Sequence, residues 1–539
     1  MSAQQNPPMP CVQTLLEALQ WRARVTPQAI LLKQAERTYS YQQVAQQVAQ
    51  VGQQLRQQGV PRGERIGLLM HKTPAQVVGL LGCHDAGALF VLINPILHPH
   101  QIQHILQDCT MTHLMVDRRN YGLLERLDLP NSLQIYLVDE GLEGVDLPQS
   151  GCKPLLCDLT APLPAAETRE TVPITPWGDD LSHIIYTSGS TGLPKGIVAT
   201  QRNLLEGGRI VSSYLKLQQW DRILALPPLN FDYGLNQLSC AIWSGATLVL
   251  HDFFLPNTLL KILQQERITI LPALVPVWHK MLDEKLSSWI DSQEPLSDLR
   301  VITNTGSKMP LEMVERLRRR LPHVELYLMY GLTEAFRSTY LPPEELQRRP
   351  HSMGRAIPGV EIMVVDSAGK PTPIGEVGEL VHRGALITRG YWNQPELSRQ
   401  VFRPHPGLTA ANRHLEQVVY SGDLVKQDAD GYLYYIGRRD EMIKTKGYRV
   451  SPTEVETLAG QLDGVGEAVA TAYEADGEIK LRLIVTLTDA TVTAEQIKKQ
   501  FKKAAPFYLI PDEICFLAQF PTTATGKTDR KAVIASSHP

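Results

Sequence analysis

From residue 41 to about residue 257, short runs of β-formers at 65–70, 87–92, 113–116, 133–138, 224–226 and 246–251 alternate with stretches of helical period. A strand that rejoins its sheet in parallel must do so through a crossover, so a chain written this way folds into parallel sheets flanked by helices. Residues 41–60 illustrate the helical stretches. Val44, Val48, Val51 and Leu55 fall on one face, and glutamines solvate the back. Residues 158–180, rich in Pro, Thr and Ala, read as a surface connection. Residues 301–390 repeat the strand-and-helix habit with more β character. After the charged segment GRRDEMIK at 437–444 a last small α/β unit follows. The expectation is α/β: a large N-terminal body, residues 1–439, of parallel and mixed sheets with flanking helices and a β-rich subdomain, then a small mobile C-terminal α/β cap, residues 440–539.

Composition excludes several function classes. With 43% hydrophobic and 20% charged residues a chain of 539 residues builds an ordinary packed core. A net charge of −3 argues against a protein that coats nucleic acid. The longest apolar stretch, 80–93, is broken by His84 and Asp85, so no membrane span is expected. Seven scattered cysteines form no CxxC pair, and the opening MSAQQNPPMP has no signal-peptide character. These features predict a cytoplasmic enzyme with reduced thiols. The arginines at 316 and 318–320 share a helical repeat with Val314, Leu317 and Leu321, and read as a polar helix face rather than a nucleic-acid patch.

The segment YTSGSTGLPKG, 186–196, carries the most chemistry. Glycines at 189, 192 and 196 let backbone N–H groups approach a ligand closely, four hydroxyls at 187, 188, 190 and 191 donate hydrogen bonds, and Lys195 adds charge. This is a phosphate cradle; a polar hairpin turn needs far fewer such groups. It is not a Walker A loop, because the GxxxxGK[ST] order is missing.

Around this loop the chain resembles the adenylate-forming enzymes: acyl-CoA synthetases, adenylation domains of nonribosomal peptide synthetases, and firefly-type luciferases. The resemblance runs from about residue 14 to residue 535. Further motifs follow in order: YGLTE at 330–334, GEL at 378–380 with RGYW at 389–392, YSGD at 420–423, GRRD at 437–440, KTKGYRVSP at 444–452 and PTTATGK at 521–527. The resemblance implies ATP and Mg²⁺ as cofactors and an acyl-adenylate intermediate. Thr187, Ser188, Gly189, Ser190, Thr191, Gly192 and Lys195 would hold the β- and γ-phosphates, and Glu334 with Thr333 the metal. Gly306, Ser307, Met329, Tyr330 and Gly331 would flank the adenine. Asp423, supported by Arg438, would take the ribose hydroxyls. Lys527 would be the catalytic cation, Asp440 a hinge, and Lys446, Gly447 and Tyr448 part of the loop used in the thioester step. A non-enzymatic member would be expected to lack Lys527, Glu334 or Asp423, and all three are present. Nothing marks a luciferase-like oxygen chemistry.

Substrate and acceptor are where the family divides. Asp232 stands where peptide-synthetase adenylation domains carry an aspartate for the substrate's ammonium group, and such a pairing would offset the cost of a buried carboxylate. Tyr233, Asn236, Val277, Thr303, Thr305, Met329, Arg337 and Ser338 are then candidates for the side-chain pocket. Arg337 could bind a substrate carboxylate, close the pocket or face water. The GYRVSP form of the late loop, and Gln201 where many relatives have histidine, look more like acyl-CoA ligases. No carrier domain follows the lysine motif before Pro539, which implies a separate acceptor. Free-standing amino acid ligases that charge carrier proteins combine these traits, notably those for proline. The expected function is therefore AMP-forming activation of a small amino acid, proline being nominated by resemblance, and its transfer to the phosphopantetheine thiol of an acyl or peptidyl carrier protein. The alternative is a small carboxylic acid joined to CoA. Lys498, Lys499, Lys502 and Lys503 on a C-terminal helix are either a carrier-docking face or a solvated one. No nucleic acid or membrane partner is expected.

Overall fold

The computed structural model describes residues 9–139, 152–156, 176–187, 194–253, 255–283, 289, 296–439, 441, 443–445, 448–475, 478–505, 507–523 and 527–537. Two large sheets carry the body. One has seven strands in the order Cys152–Leu156, Gln134–Asp139, His113–Val116, Arg65–Leu69, Leu89–Leu92, Leu181–Thr187 and Lys195–Thr200. All neighbours are parallel except the last pair. The other has nine strands, parallel from Glu325–Leu332 through Val301–Asn304, Ile270–Pro272, Arg222–Ala225 and Thr247–Leu250 to Ile30–Gln34, with antiparallel edges.

Strands in these sheets are buried on both faces, and their residues alternate between two cores. Ile223 and Ala225 point into the central core while Leu224 and Leu226 point into an outer one. Phe90 and Leu92 likewise face inward while Leu89 and Val91 face a third core. The pleat enforces that alternation, which is why these runs are apolar throughout. The helices in the layer between the sheets include Tyr41–Gln57, Pro74–Asp85, Gln201–Tyr214 and Asp232–Ser244, with Leu15–Val25 packed against them. The first starts on a reciprocal cap between Ser40 and Gln43 and buries Val44, Val48, Val51 and Leu55, the expected stripe. Helix Leu311–Arg320 buries Val314 and Leu317 and keeps its arginines as a polar edge, two of them donating to the Leu282 and Trp289 carbonyls.

Beyond these layers, Val360–Val365, Gly378–Gly384, Phe402–Pro404, Gln417–Gln427 and Leu433–Arg438 form an antiparallel five-stranded sheet, the β-rich part of the body. After it comes a three-stranded sheet, Val465–Ala475, Glu478–Leu487 and Glu513–Phe516, packed with helices Pro452–Ala459 and Ala494–Ala504 around its own core. Among the described residues no helix is long and apolar enough to cross a membrane.

Candidate functional site

Two glycines set the backbone at the site. A β-carbon on Gly234 would lie 1.9 Å from the Pro228 carbonyl oxygen, so only glycine lets the 227–228 turn close over the start of helix Asp232–Ser244 and hold Asp232 at its first position. Gly331 is equally confined, its β-carbon falling 1.9 Å from the Phe336 carbonyl oxygen. There strand Glu325–Leu332 turns tightly into Phe336–Leu341, and Phe336 adopts φ 57°, a left-handed conformation rare for an aromatic residue. This turn presents Thr333 and Glu334 on one side and Arg337 on the other.

A cavity of about 640 Å³ lies beside it, lined by Gly306, Ser307, Met329, Tyr330, Gly331 and Asp423, all six expected around the nucleotide. Asp423, 6% exposed, sits in its wall. The Tyr330 hydroxyl donates to Asp423 Oδ2, and Arg438 Nη1 stands 3.2 Å from Oδ1 while also donating to the Ser421 carbonyl at 2.9 Å. Burial, then the Asp423 charge, raises the Tyr330 pKa well above its ordinary value, so the phenol stays a donor. Tyr435 of the β-rich sheet and Thr453, Glu454 and Thr457 of helix Pro452–Ala459 complete the cavity from the C-terminal side. Motif spacing gives no sign of that roof, because it depends on how distant segments meet.

Lys195 and Glu334 also converge. Lys195 Nζ is 3.7 Å from Glu334 Oε1, 3.3 Å from the Tyr391 hydroxyl and 4.4 Å from the centre of the Tyr391 ring. Tyr391 donates to Glu334 Oε1 at 2.5 Å, and its pKa is raised by burial and by that carboxylate. The Glu334 carbonyl is pinned by Thr388 through its N–H at 3.0 Å and its hydroxyl at 2.9 Å. Tyr391 stands outside the expected set of site residues although the RGYW motif contains it; a tyrosine beside Gly390 is the signal in the sequence. Thr187 ends the strand before the phosphate loop and pairs across the ladder with Lys195. The two flanking strands pair antiparallel. Ser188, Gly189, Ser190, Thr191 and Gly192 themselves lie outside the described residues, as do Asp440, Lys446, Gly447 and the side chain of Tyr448.

Lys527 approaches from the C-terminal unit. Its loop closes on itself: Thr523 N–H donates to the Lys527 carbonyl at 2.7 Å, and Lys527 N–H to Thr523 Oγ1 at 3.2 Å. Its Nζ comes to rest against Gly306, 3.7 Å from where a β-carbon there would stand. The residue keeps an exposed surface, yet atoms crowded around the ammonium lower its pKa, and the charge of Asp232 opposes that shift. The lysine thus lies against Gly306, which lines the larger cavity, and within electrostatic reach of Asp232.

A second, much smaller cavity is lined by Asp232, Asn236, Ser239, Thr333 and Phe336 together with apolar side chains such as Ile185, Leu235 and Leu386. Tyr233 lies beside it on the same helix, its hydroxyl bonding the carbonyl and hydroxyl oxygens of Thr303 at 2.8 and 2.7 Å. Thr305 and Ser338, two residues beyond Thr303 and Phe336, are buried as well. Of the expected pocket residues Asp232 and Asn236 line this cavity, whereas Tyr233, Thr303, Thr305, Arg337 and Ser338 do not, and Val277 packs half-buried against the outer core. Its place on helix Val275–Met281 turns it toward the outer core. Ser239 is an addition to the expected set; its spacing from Asp232 and Asn236 along one helix face is the signal that finds it.

Metal-binding capacity is modest. Among the described residues no three His, Cys, Asp or Glu side chains cluster. A single carboxylate such as Glu334 beside a phosphate cradle suits Mg²⁺, which is commonly held by one or two carboxylates together with substrate phosphates and water.

The chain has known relatives. It is 30% identical over 523 residues to one of the linear gramicidin synthase proteins of Brevibacillus parabrevis, a match covering 96% of this chain and 9% of that protein. Of two further gramicidin synthase relatives it spans only 6% and 11% of the length. It is 29% identical over 527 residues to the indoleacetate–CoA ligase of Aromatoleum aromaticum, covering 96% of this chain and 98% of that one. Its fold matches that of o-succinylbenzoate CoA synthetase from Bacillus subtilis, solved with ATP and magnesium, at a TM-score of 0.78 and 22% identity, over 96% and 99% of the two chains. A family model described as AMP-binding enzyme matches residues 19–392, so the chain belongs to the AMP-binding enzyme family.

Proposed function

We propose that the protein is an AMP-forming ligase that activates a small amino acid as its acyl-adenylate and passes it to a phosphopantetheine thiol. The reading is carried by Lys527, whose ammonium lies against Gly306, which lines the larger cavity, and within electrostatic reach of the Asp232 carboxylate. Joining a carboxylate to ATP requires two negative groups to meet, and a cation at their junction offsets the charge that accumulates there.

In the first step a carboxylate oxygen of the substrate bonds to the α-phosphorus while the bond to the β-phosphate bridge breaks, and pyrophosphate leaves with the electron pair. Asp423, oriented by Tyr330 and Arg438, accepts from the ribose hydroxyls. Lys195 with the 187–192 segment receives the terminal phosphates. Glu334, held by Tyr391, is the residue that would hold Mg²⁺, and the ion when bound would neutralise charge on those phosphates. Asp232, at the positive end of its helix and in the lining of the smaller cavity, accepts from the substrate's ammonium. In the second step the thiol sulfur attacks the acyl carbon, the proton leaves the sulfur, and AMP departs.

We read the thiol as that of a carrier protein. Lys499, Lys502 and Lys503 are exposed on helix Ala494–Ala504 and suit an acidic carrier surface, whereas Lys498 is tied to the Asp512 carbonyl within its own unit. The end-to-end match to a CoA ligase favours CoA as the second reading, since it bears the same thiol. Exchange of labelled pyrophosphate into ATP, dependent on an amino acid, is the expected result; release of ADP in place of AMP would overturn the proposal.

A further inference from the structure

Arg337 is a buried charge that the reaction above does not use. It is 2% exposed, on strand Phe336–Leu341, with its guanidinium carbon 4.9 Å from the centre of the Tyr233 ring and 5.0 Å from that of Phe336. Rings stacked on its faces do nothing for N–H groups that point outward in its plane. Its one ion pair among the described residues is with Asp232, Nη1 to Oδ2 at 3.5 Å, longer than a charge-assisted hydrogen bond. Nε and Nη2 are buried and have no partner among the described residues. Buried polar groups in that condition are uncommon and point to a missing ligand.

The orphaned atoms are not isolated. Asn236 Nδ2 and Ser239 Oγ are also buried without partners among the described residues, and both residues line the smaller cavity with Asp232. Asp232, Asn236 and Ser239 fall on one face of helix Asp232–Ser244, and Arg337 reaches that face at Asp232. If Asp232 accepts the substrate's ammonium, Arg337 must share the one counterion it has among the described residues, and an under-neutralised buried guanidinium is costly. A substrate anion removes that cost.

Resting on the amino acid reading above, we propose that the substrate is an amino acid with a second carboxylate on a short side chain, received by Arg337 Nε and Nη2 with Asn236 Nδ2. Each charge then has a partner: the ammonium on Asp232, the reacting carboxylate at Lys527, the side-chain carboxylate on Arg337. The cavity lined by Asp232 and Asn236 is small, about 30 Å³ against about 640 Å³ for the nucleotide cavity, which favours a short side chain, and Arg337 joins it through Asp232 rather than from its lining. Proline has no side-chain acceptor and leaves the arginine unmatched.

The test is pyrophosphate exchange measured with aspartate, glutamate, asparagine, glutamine, proline, alanine and succinate, using the full chain and an Arg337→Gln variant shown by calorimetry to bind ATP. The expected result is that an acidic amino acid exceeds its own amide by about 100-fold or more in kcat/KM, and that Arg337→Gln abolishes this ratio. The proposal is overturned if a neutral amino acid or succinate ranks first, or if Arg337→Gln leaves the ranking as it was. Absence of exchange with every acid overturns the ligase reading as well, and so separates the two failures.

Discussion

Lys527 and its surroundings explain why one lysine can matter in a chain with 53 basic residues. Most lysines sit in water, where their charge is screened, but this one is crowded against Gly306 with Asp232 as the charge that sustains it. Lys527→Ala should therefore reduce adenylate formation by about 100-fold or more while sparing thioester formation from a supplied adenylate. Measuring the half-reactions separately checks this, and equal loss in both would refute it. The sign of the pH dependence follows from the same crowding. Because the lysine's pKa is lowered, its cation is lost at a pH below that of an ordinary lysine, so adenylation should decline on the alkaline side earlier than the thioester step does. Tyr391 and Tyr330 hold the carboxylates of Glu334 and Asp423 in a comparable way, each as a neutral donor kept protonated by burial.

At the level of elements, the sheets and the helices between them carry buried histidines. His84 donates to the Ser182 carbonyl at 3.0 Å from helix Pro74–Asp85, His183 lies on Leu181–Thr187, and His382 on Gly378–Gly384 stacks near Tyr330. Burial lowers their pKa to about 4, 3 and 3. Each is neutral in the fold but takes up a proton below its ordinary value once unfolded, so the unfolded chain binds more protons as pH falls. Stability should be complete above about pH 6.5 and decline below it by about 1.4 kcal/mol per pH unit for each histidine. Urea midpoints between pH 7 and pH 5 test this; a flat profile would contradict it. The strands themselves are legible in the sequence because both faces are buried, which writes an unbroken apolar run of the right length. The Glu334–Tyr391 and Asp232–Arg337 pairs are not, because topology rather than spacing brings their partners together.

For the whole molecule, the larger cavity is lined from both the body and the C-terminal unit, by Thr453, Glu454 and Thr457 together with Gly306 and Tyr330. With Lys527 at the site, the proposed thioester step needs the 444–452 segment to take its turn, and rotation at the proposed hinge Asp440 is the simplest way to exchange them. Asp440→Pro fixes one backbone angle and should slow one half-reaction far more than the other; equal effects on both would count against a hinge there. Beneath all of this lies one bond, from the acid's carboxylate to the α-phosphorus of ATP. Supplying the amino acid with heavy oxygen in its reacting carboxyl group and analysing the products by mass spectrometry follows that bond directly. The account predicts that AMP leaves with one labelled oxygen on its phosphate and that pyrophosphate carries none; label found in pyrophosphate or inorganic phosphate, with unlabelled AMP, would contradict it.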